Sequence, residues 1–258
     1  MAYGLLDLAG KSAVVIGGTS GIGRAIAHGL AEAGADVVPS SRRVEQVDAT
    51  AKEIEQRGRK TLRLTSDVGD RGSLEILLDQ TIKAFGKVDI LINSAGRTKK
   101  TPTLDLSESE WAGILDTNLN GVLRACQIFG RHMVERRYGR IVNIASLASF
   151  FGAFEVAAYC SSKSGVAGLT RSLAVEWAPY GVCVNGIAPG VFRTPMNEKL
   201  LDGTPRGQEY LWRTPMKRFG KVEELAGAAV FLASDAASYV TGEIVRVDGG
   251  MLASGVNQ

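Results

Sequence analysis

The stretch SAVVIGGTSGIGRAIAHGLAEAGA, Ser12 to Ala35, passes directly from a strand into a glycine turn and then a helix. The short apolar run SAVVIG, 12 to 17, suits a strand buried on both faces. Ile22, Ile26 and Leu30 then recur at helical spacing, which places them on one stripe. Between the two, GGTSGIG (Gly17 to Gly23) allows a tight turn and a close approach to the backbone. The N-terminus of the helix adds unpaired N–H groups and a positive dipole end, a ready cradle for a pyrophosphate. The spacing Gly17-xxx-Gly21-x-Gly23 differs from GxGxxG, and glycine turns are common. Its position after the first strand of an alternating chain is what favours dinucleotide binding.

Outward from that unit the alternation continues. DVVPSS (36 to 41) and KTLRLTSDV (60 to 68) read as the second and third strands, with a helix between them closed by Gly58. A helix from Ser73 leads to the fourth strand, VDILINSAG (88 to 96), and a long helical region follows from Ser107 to about Arg137. The fifth strand is GRIVNIAS (139 to 146) and the sixth VCVNGIAPG (182 to 190); GEIVRVDGG (242 to 250) is the last. Between the last two lie an irregular stretch, 191 to 219, and a helix from Glu223 to Ser234. The expected fold is α/β: a doubly wound Rossmann-type parallel sheet with helices on both faces. One domain is expected over residues 1 to 258, with 191 to 219 as a substrate lid inside it.

Composition narrows the function. With 258 residues, 45% hydrophobic and 22% charged, the chain can bury a large core. A net charge of +3 without a long Lys/Arg block gives no footprint for nucleic acid. Cys126, Cys160 and Cys183 lack metal-ligand spacing and read as reduced thiols. His28 and His132 are too far apart in sequence to suggest a zinc site or a Ser-His-Asp triad, so no metal is expected. MAYGLLDLAGK has no charged leader or signal-length apolar core, and no run reaches membrane-spanning length. A soluble, cytoplasmic protein is expected.

The chemistry centres on AYCSSKSGVAGLTRSLAVEW, Ala158 to Trp177. Tyr159 and Lys163 stand four apart, on one face of the helix they open. Taken alone, such a pair is more often a solvated surface pair than a site. Here it sits in register with GGTSGIG, NSAG (93 to 96), Ser146 thirteen residues before Tyr159, and PGVFRT (189 to 194). Over essentially its full length the chain resembles the short-chain dehydrogenase/reductase family.

That resemblance implies catalytic roles for Asn118, Ser146, Tyr159 and Lys163. Tyr159 would move a proton to or from the substrate oxygen, and Ser146 would bond and polarise that oxygen. Lys163 would hold the nicotinamide ribose and pull the tyrosine's pKa down from about 10. The Asn118 backbone would help hold a water in a relay to Lys163, with Asn120 the weaker candidate. Cys160 would face away from the site.

Cofactor contacts implied are Gly17, Thr19, Ser20, Gly21, Ile22 and Gly23 in the turn, Asp67 and Val68 at the adenine, and Asn93, Ala95 and Gly96 after the fourth strand. Tyr159, Lys163, Pro189, Gly190 and Thr194 complete the set, with Ile187 near the nicotinamide. The chain departs from the family pattern at Ile16 and Ser94.

The cofactor is expected to be NADP(H). PSSRR ends the second strand where an NAD site would place an acid, so Ser41 and Arg42 can meet a 2′-phosphate, with Arg43 nearby. The implied activity is hydride transfer on an alcohol/ketone pair, with a small-molecule carbonyl or alcohol as partner and a homotetramer as the assembly. A small polar substrate such as a sugar acid comes first, with Arg97, Lys99 or Arg193 available to a carboxylate. A 3-oxoacyl thioester is the runner-up, suggested by Phe150, Phe151, Phe154, Leu200, Leu201, Tyr210 and Trp212. A non-catalytic dinucleotide sensor is the remaining alternative. The apolar C-terminal VRVDGGMLASGV would be buried between subunits.

Overall fold

β1 (Ser12–Ile16) is buried along its whole length because both of its neighbours and both sheet faces cover it. The computed structural model describes residues 4–194 and 197–255, without the side chains of Lys199 and Leu200. The Leu200 side chain and Val256, both noted in the sequence, and Pro195 within the expected lid lie outside these.

The other strands are β2 (Asp36–Ser40), β3 (Ile90–Asn93), β4 (Gly139–Ile144), β5 (Val182–Pro189) and β6 (Ile244–Val247). They form one parallel sheet in the order β2-β1-β3-β4-β5-β6. Helices α1 (Gly21–Glu32), α2 (Val44–Gln56) and α9 (Glu224–Ala233) share a core on one face; α3 (Arg71–Phe85), α5 (Gly121–Arg136) and α6 (Ala157–Trp177) share one on the other. The chain leaves β1 toward β2 and returns to pair β3 on the opposite side. This reversal opens a crevice at the carboxyl ends of β1 and β3.

One expectation needs correction and a second gains detail. KTLRLTSDV is not a seventh strand: it runs beside β2, and backbone bonds tie it there only at its ends, Val37 N–H to Lys60 O (3.0 Å) and Ser66 N–H to Ser41 O (3.1 Å). Parallel pairing alternates, so residue 39 should supply the rung between 37 and 41; it is Pro39, which has no N–H to donate. Ser40 Oγ instead donates to Leu64 O at 2.6 Å.

The helical region from Ser107 is present and runs unbroken to Arg136, but it is not α-helical throughout. α4 (Glu108–Leu115) runs into a π-helical turn, Asp116–Asn120, before α5; Gly121 N–H donates to Asp116 O, five residues back. Such turns change which way side chains face and often sit at functional sites.

The 191–219 stretch contains α7 (Glu198–Leu201) and α8 (Pro205–Arg213). Thr204 caps α8, its hydroxyl accepting Gly207 N–H at 3.0 Å, and Pro205 occupies the first turn. The ends of the stretch are pinned together by an isolated bridge between Phe192 and Gly220, with Gly220 N–H on Val191 O at 2.9 Å. The C-terminal segment packs on the same chain: a Cβ at Gly249 would meet Thr214 and Met216, and Met216 N–H donates to Gly249 O.

Candidate active site

The glycine turn and the end of β3 close on each other. Gly17 has φ +77°, and a Cβ there would stand 2.6 Å from Ala95 N; one at Gly23 would be 2.1 Å from Gly17 O. Side chains at either point would fill the crevice, so the backbone itself forms its wall. Ser20 opens α1 in extended conformation without a side-chain cap bond, and the first turn holds no acid, so the helix end is free to receive an anion. Ile22 packs against the core. Thr19 Oγ1 donates to Ser41 Oγ at 2.8 Å, which locks the turn to the end of β2. Beside it Arg42 and Arg43 are exposed, and neither guanidinium bonds to any described residue. Together these groups fit a dinucleotide carrying a phosphate on its adenosine ribose.

Along the crevice, Asp67 Oδ1 accepts Gly69 N–H at 2.9 Å, while Val68 packs on Gly121. Asn93 points elsewhere: its Nδ2 donates to Asn143 Oδ1 (2.8 Å) and to Cys126 Sγ, and Asn143 donates onward to Thr170 Oγ1 (3.0 Å). This buried network leaves only the Asn93 backbone for the crevice, and burial pushes the Cys126 thiol up to about 12. Asn143 and Thr170 escaped the sequence reading, which had no means of pairing positions so far apart. Ile187 is fully buried in the core beneath the crevice floor.

On the other side, α6 carries Tyr159 and Lys163 as its periodicity requires, with Lys163 Nζ 5.8 Å from the tyrosine ring centroid. Lys163 Nζ donates to Ile144 O at 2.7 Å, tying the helix to the end of β4. Ser146, just beyond that strand, caps a short turn by accepting Ala148 N–H at 3.1 Å and hydrogen-bonds the Tyr159 side chain. Asn118 is fully buried in the π turn, whereas Asn120 is exposed and bonds Asp116. The Asn118 amide clasps the backbone of Arg97, accepting its N–H (2.8 Å) and donating to its C=O (2.9 Å), and also donates to Ser162 Oγ. A Cβ at Gly96 would lie 3.5 Å from Asn118 Oδ1 and 3.7 Å from Lys163 Nζ, so the three meet at one point. Cys160 turns away, its sulfur accepting Ala153 N–H.

The electrostatics differ from expectation. Burial raises the Tyr159 pKa above its ordinary value, opposed by the Ser146 hydrogen bond; Lys163 is not among the opposing groups. Burial also lowers Lys163 to about 8. The chain's own groups therefore keep Tyr159 a phenol at neutral pH, ready to donate a proton.

Gly190 and Thr194 border the crevice's far rim. Gly190 N–H donates to Val247 O, and Thr194 lies 3.5 Å from a Cβ at Gly21, so the start of the 191–219 stretch touches the glycine turn. Asn197, absent from the sequence reading, fixes Thr194 by accepting its N–H (2.8 Å) and its hydroxyl (3.1 Å). Of the cations expected near the substrate, Lys99 pairs with Glu110 and Arg193 with Asp202; Arg97 lies exposed, its guanidinium toward Gly113.

Known proteins resemble this chain along nearly its whole length. Residues 17–252 match the family model described as enoyl-(acyl carrier protein) reductase. The 2-dehydro-3-deoxy-D-gluconate 5-dehydrogenase of Bacillus subtilis is 42% identical, covering 95% of this chain and 96% of that one. The 3-oxoacyl-acyl-carrier-protein reductase of Thermotoga maritima is 36% identical over 96% of this chain and 100% of that one. A solved structure described as a gluconate 5-dehydrogenase from Burkholderia cenocepacia, in complex with NADP and tartrate, superposes with a TM-score of 0.93 at 36% identity, covering 97% of this chain and 98% of that one. With a glycine cradle at the switch point and Ser146, Tyr159 and Lys163 beside it, the chain belongs to the short-chain dehydrogenase/reductase family of oxidoreductases.

Proposed function

We propose that the protein is an NADP(H)-dependent oxidoreductase interconverting the hydroxyl and keto forms of a sugar acid. The observation that carries this is the convergence of Ser146, Tyr159 and Lys163 beside a cradle whose outer end bears Arg42 and Arg43, without partners among the described residues. The Bacillus relative and the NADP-bound neighbour support the substrate class and the cofactor.

Gly17 to Gly23 and the α1 N-terminus would hold the pyrophosphate, Ser41 and Arg42 the 2′-phosphate, Asp67 and Val68 the adenine, and Lys163, Pro189, Gly190 and Thr194 the nicotinamide half. A bound nicotinamide supplies or accepts the hydride. Ser146 positions the substrate oxygen by hydrogen bonding, and Tyr159 donates its proton there during reduction. Lys163, anchored on Ile144 O, supplies positive charge beside the phenolate that results. Asn118 fixes the Arg97 backbone and the π turn, keeping the wall opposite Lys163 in place.

The 191–219 stretch acts as the lid of a single domain. Among the described residues no helix is long and apolar enough to cross a membrane, and we place the enzyme in the cytoplasm. The assembly is a homotetramer, with the α3/α5/α6 face, where Leu78, Ile128, Val134 and Trp177 line a groove of about 800 Å³ among charged residues, as one interface. Sedimentation of a stable monomer at micromolar concentration would remove that assembly.

A specific observation favours a second reading: Phe154 and Trp212 are 75% and 67% exposed, apolar surface that an acyl thioester could use. NADPH consumption across keto-gluconates, neutral ketones and acetoacetyl thioesters separates the two. Preference for the thioester by orders of magnitude would replace the sugar-acid reading.

A further inference from the structure

Among the described basic side chains of the lid, nearly all are matched. Arg193 pairs with Asp202 through Nε and Nη2, Arg213 with Glu209 (2.9 Å) and Arg218 with Glu224 (2.6 Å). Lys217 donates to Trp212 O at 2.9 Å. Arg206 is different. It is half-buried, no carboxylate lies within ion-pairing distance among the described residues, and its guanidinium reaches only a phenol: Nη2 donates to Tyr210 OH at 3.4 Å and Cζ stands 5.8 Å from that ring's centroid. A cation partly withdrawn from water without an acid partner is an unfilled anion site, because desolvation has been incurred and no opposite charge offsets it.

Its position supplies the ligand. Tyr210 sits one helical turn further along α8, and its hydroxyl is near enough to Tyr159 for the two phenols to interact electrostatically. Arg206 and Tyr210, four residues apart, therefore share the face of α8 whose phenol acts on the proton donor. A sugar acid has its carboxylate several carbon–carbon bonds from the reacting carbon, which suits an anchor offset from Tyr159 in this way.

We propose that Arg206, braced by Tyr210, binds the substrate carboxylate and sets the enzyme's preference for acids over neutral ketones. This rests on the sugar-acid reading above. The planar guanidinium can offer two parallel N–H donors to a carboxylate, which lysine cannot reproduce. The interaction lies away from the reacting atoms and is made equally in ground and transition states, so its loss should raise KM and spare kcat.

The test is steady-state reduction of 5-keto-gluconate and of the neutral ketone acetoin by NADPH, for the unmutated protein, Arg206→Gln, Arg206→Lys and Tyr210→Phe. Arg206→Gln should raise KM for the keto acid roughly 10- to 100-fold, the range of a charge-assisted hydrogen-bonding pair. Its kcat, its KM for NADPH and its constants for acetoin should stay as they were. Arg206→Lys should fall between, and it carries the test if the glutamine variant fails to fold. An unmutated enzyme that reduces keto-gluconate, with KM unmoved in Arg206→Gln, overturns the clamp alone. Equal KM increases for acid and neutral ketone make Arg206 a lid-packing residue and also overturn it. An unmutated enzyme that ignores keto-gluconate overturns the sugar-acid reading, and the clamp falls with it.

Discussion

The cradle and the lid are built on opposite principles. In the cradle, polar groups are buried and matched chiefly to backbone or to each other: Lys163 to Ile144 O, Asn118 to both backbone groups of Arg97, Asn93 to Asn143 to Thr170. In the lid the matched charges are exposed ion pairs between neighbours in sequence, and one half-buried cation faces a phenol. Buried, satisfied networks are rigid and costly to disturb, whereas exposed pairs contribute little and let a segment move. Chemistry that must be held in place sits in the first region, and selection among substrates falls to the second.

The largest expected effect probes the cradle. Tyr159→Phe removes the proton donor and keeps the ring, so kcat should drop roughly 10³- to 10⁴-fold while NADPH affinity, read by nucleotide fluorescence, stays the same. Retention of substantial turnover would overturn the role given to Tyr159. Next comes Arg42→Asp, at the cradle's outer end. Placing an acid where the 2′-phosphate should lie ought to lower the NADP/NAD preference about 100-fold in kcat/KM. An unmutated enzyme equally efficient with both cofactors would sink that assignment.

A third experiment measures what the cradle sacrifices for its chemistry. Lys163 has a folded pKa of about 8 against an ordinary 10.5, so burial of the charge destabilises the fold. The penalty is full below about pH 8 and is relieved as pH rises toward 10.5, because in that window the unfolded chain binds the proton that the folded one has lost. Lys163→Met should abolish activity yet stabilise the protein at pH 7, by about 1 kcal/mol after loss of the Ile144 bond. Denaturant melts at pH 7 and pH 10 would check it, the gain shrinking at the higher pH; a lower melting point at pH 7 would contradict it. The smallest effect belongs to the lid. Arg193→Ala removes an exposed pair with Asp202 and should leave Tm unchanged and shift KM about twofold at most. A large KM increase confined to acid substrates would move the carboxylate site from Arg206 to Arg193.

The amino-acid order alone determined the sheet and the reactive pair. Alternating apolar strands and helical stripes specify a doubly wound sheet, and a four-residue spacing places Tyr159 and Lys163 on one face whatever packs around them. Some missed features were local and legible: Pro39 marks the rung the 60–68 segment cannot form, and Thr204-Pro205 announces α8. Other features lay beyond any local reading. The π turn at Asn118 depends on Gly121 accepting the Val68 side chain, and Lys100 meets Glu155 across fifty-five positions of sequence. Tertiary structure alone decided which charges are neutralised and which await a ligand. Ion pairing and desolvation depend on distance in space, and the hydrophobic pattern that specifies the fold says nothing about how charged side chains at its rim pair.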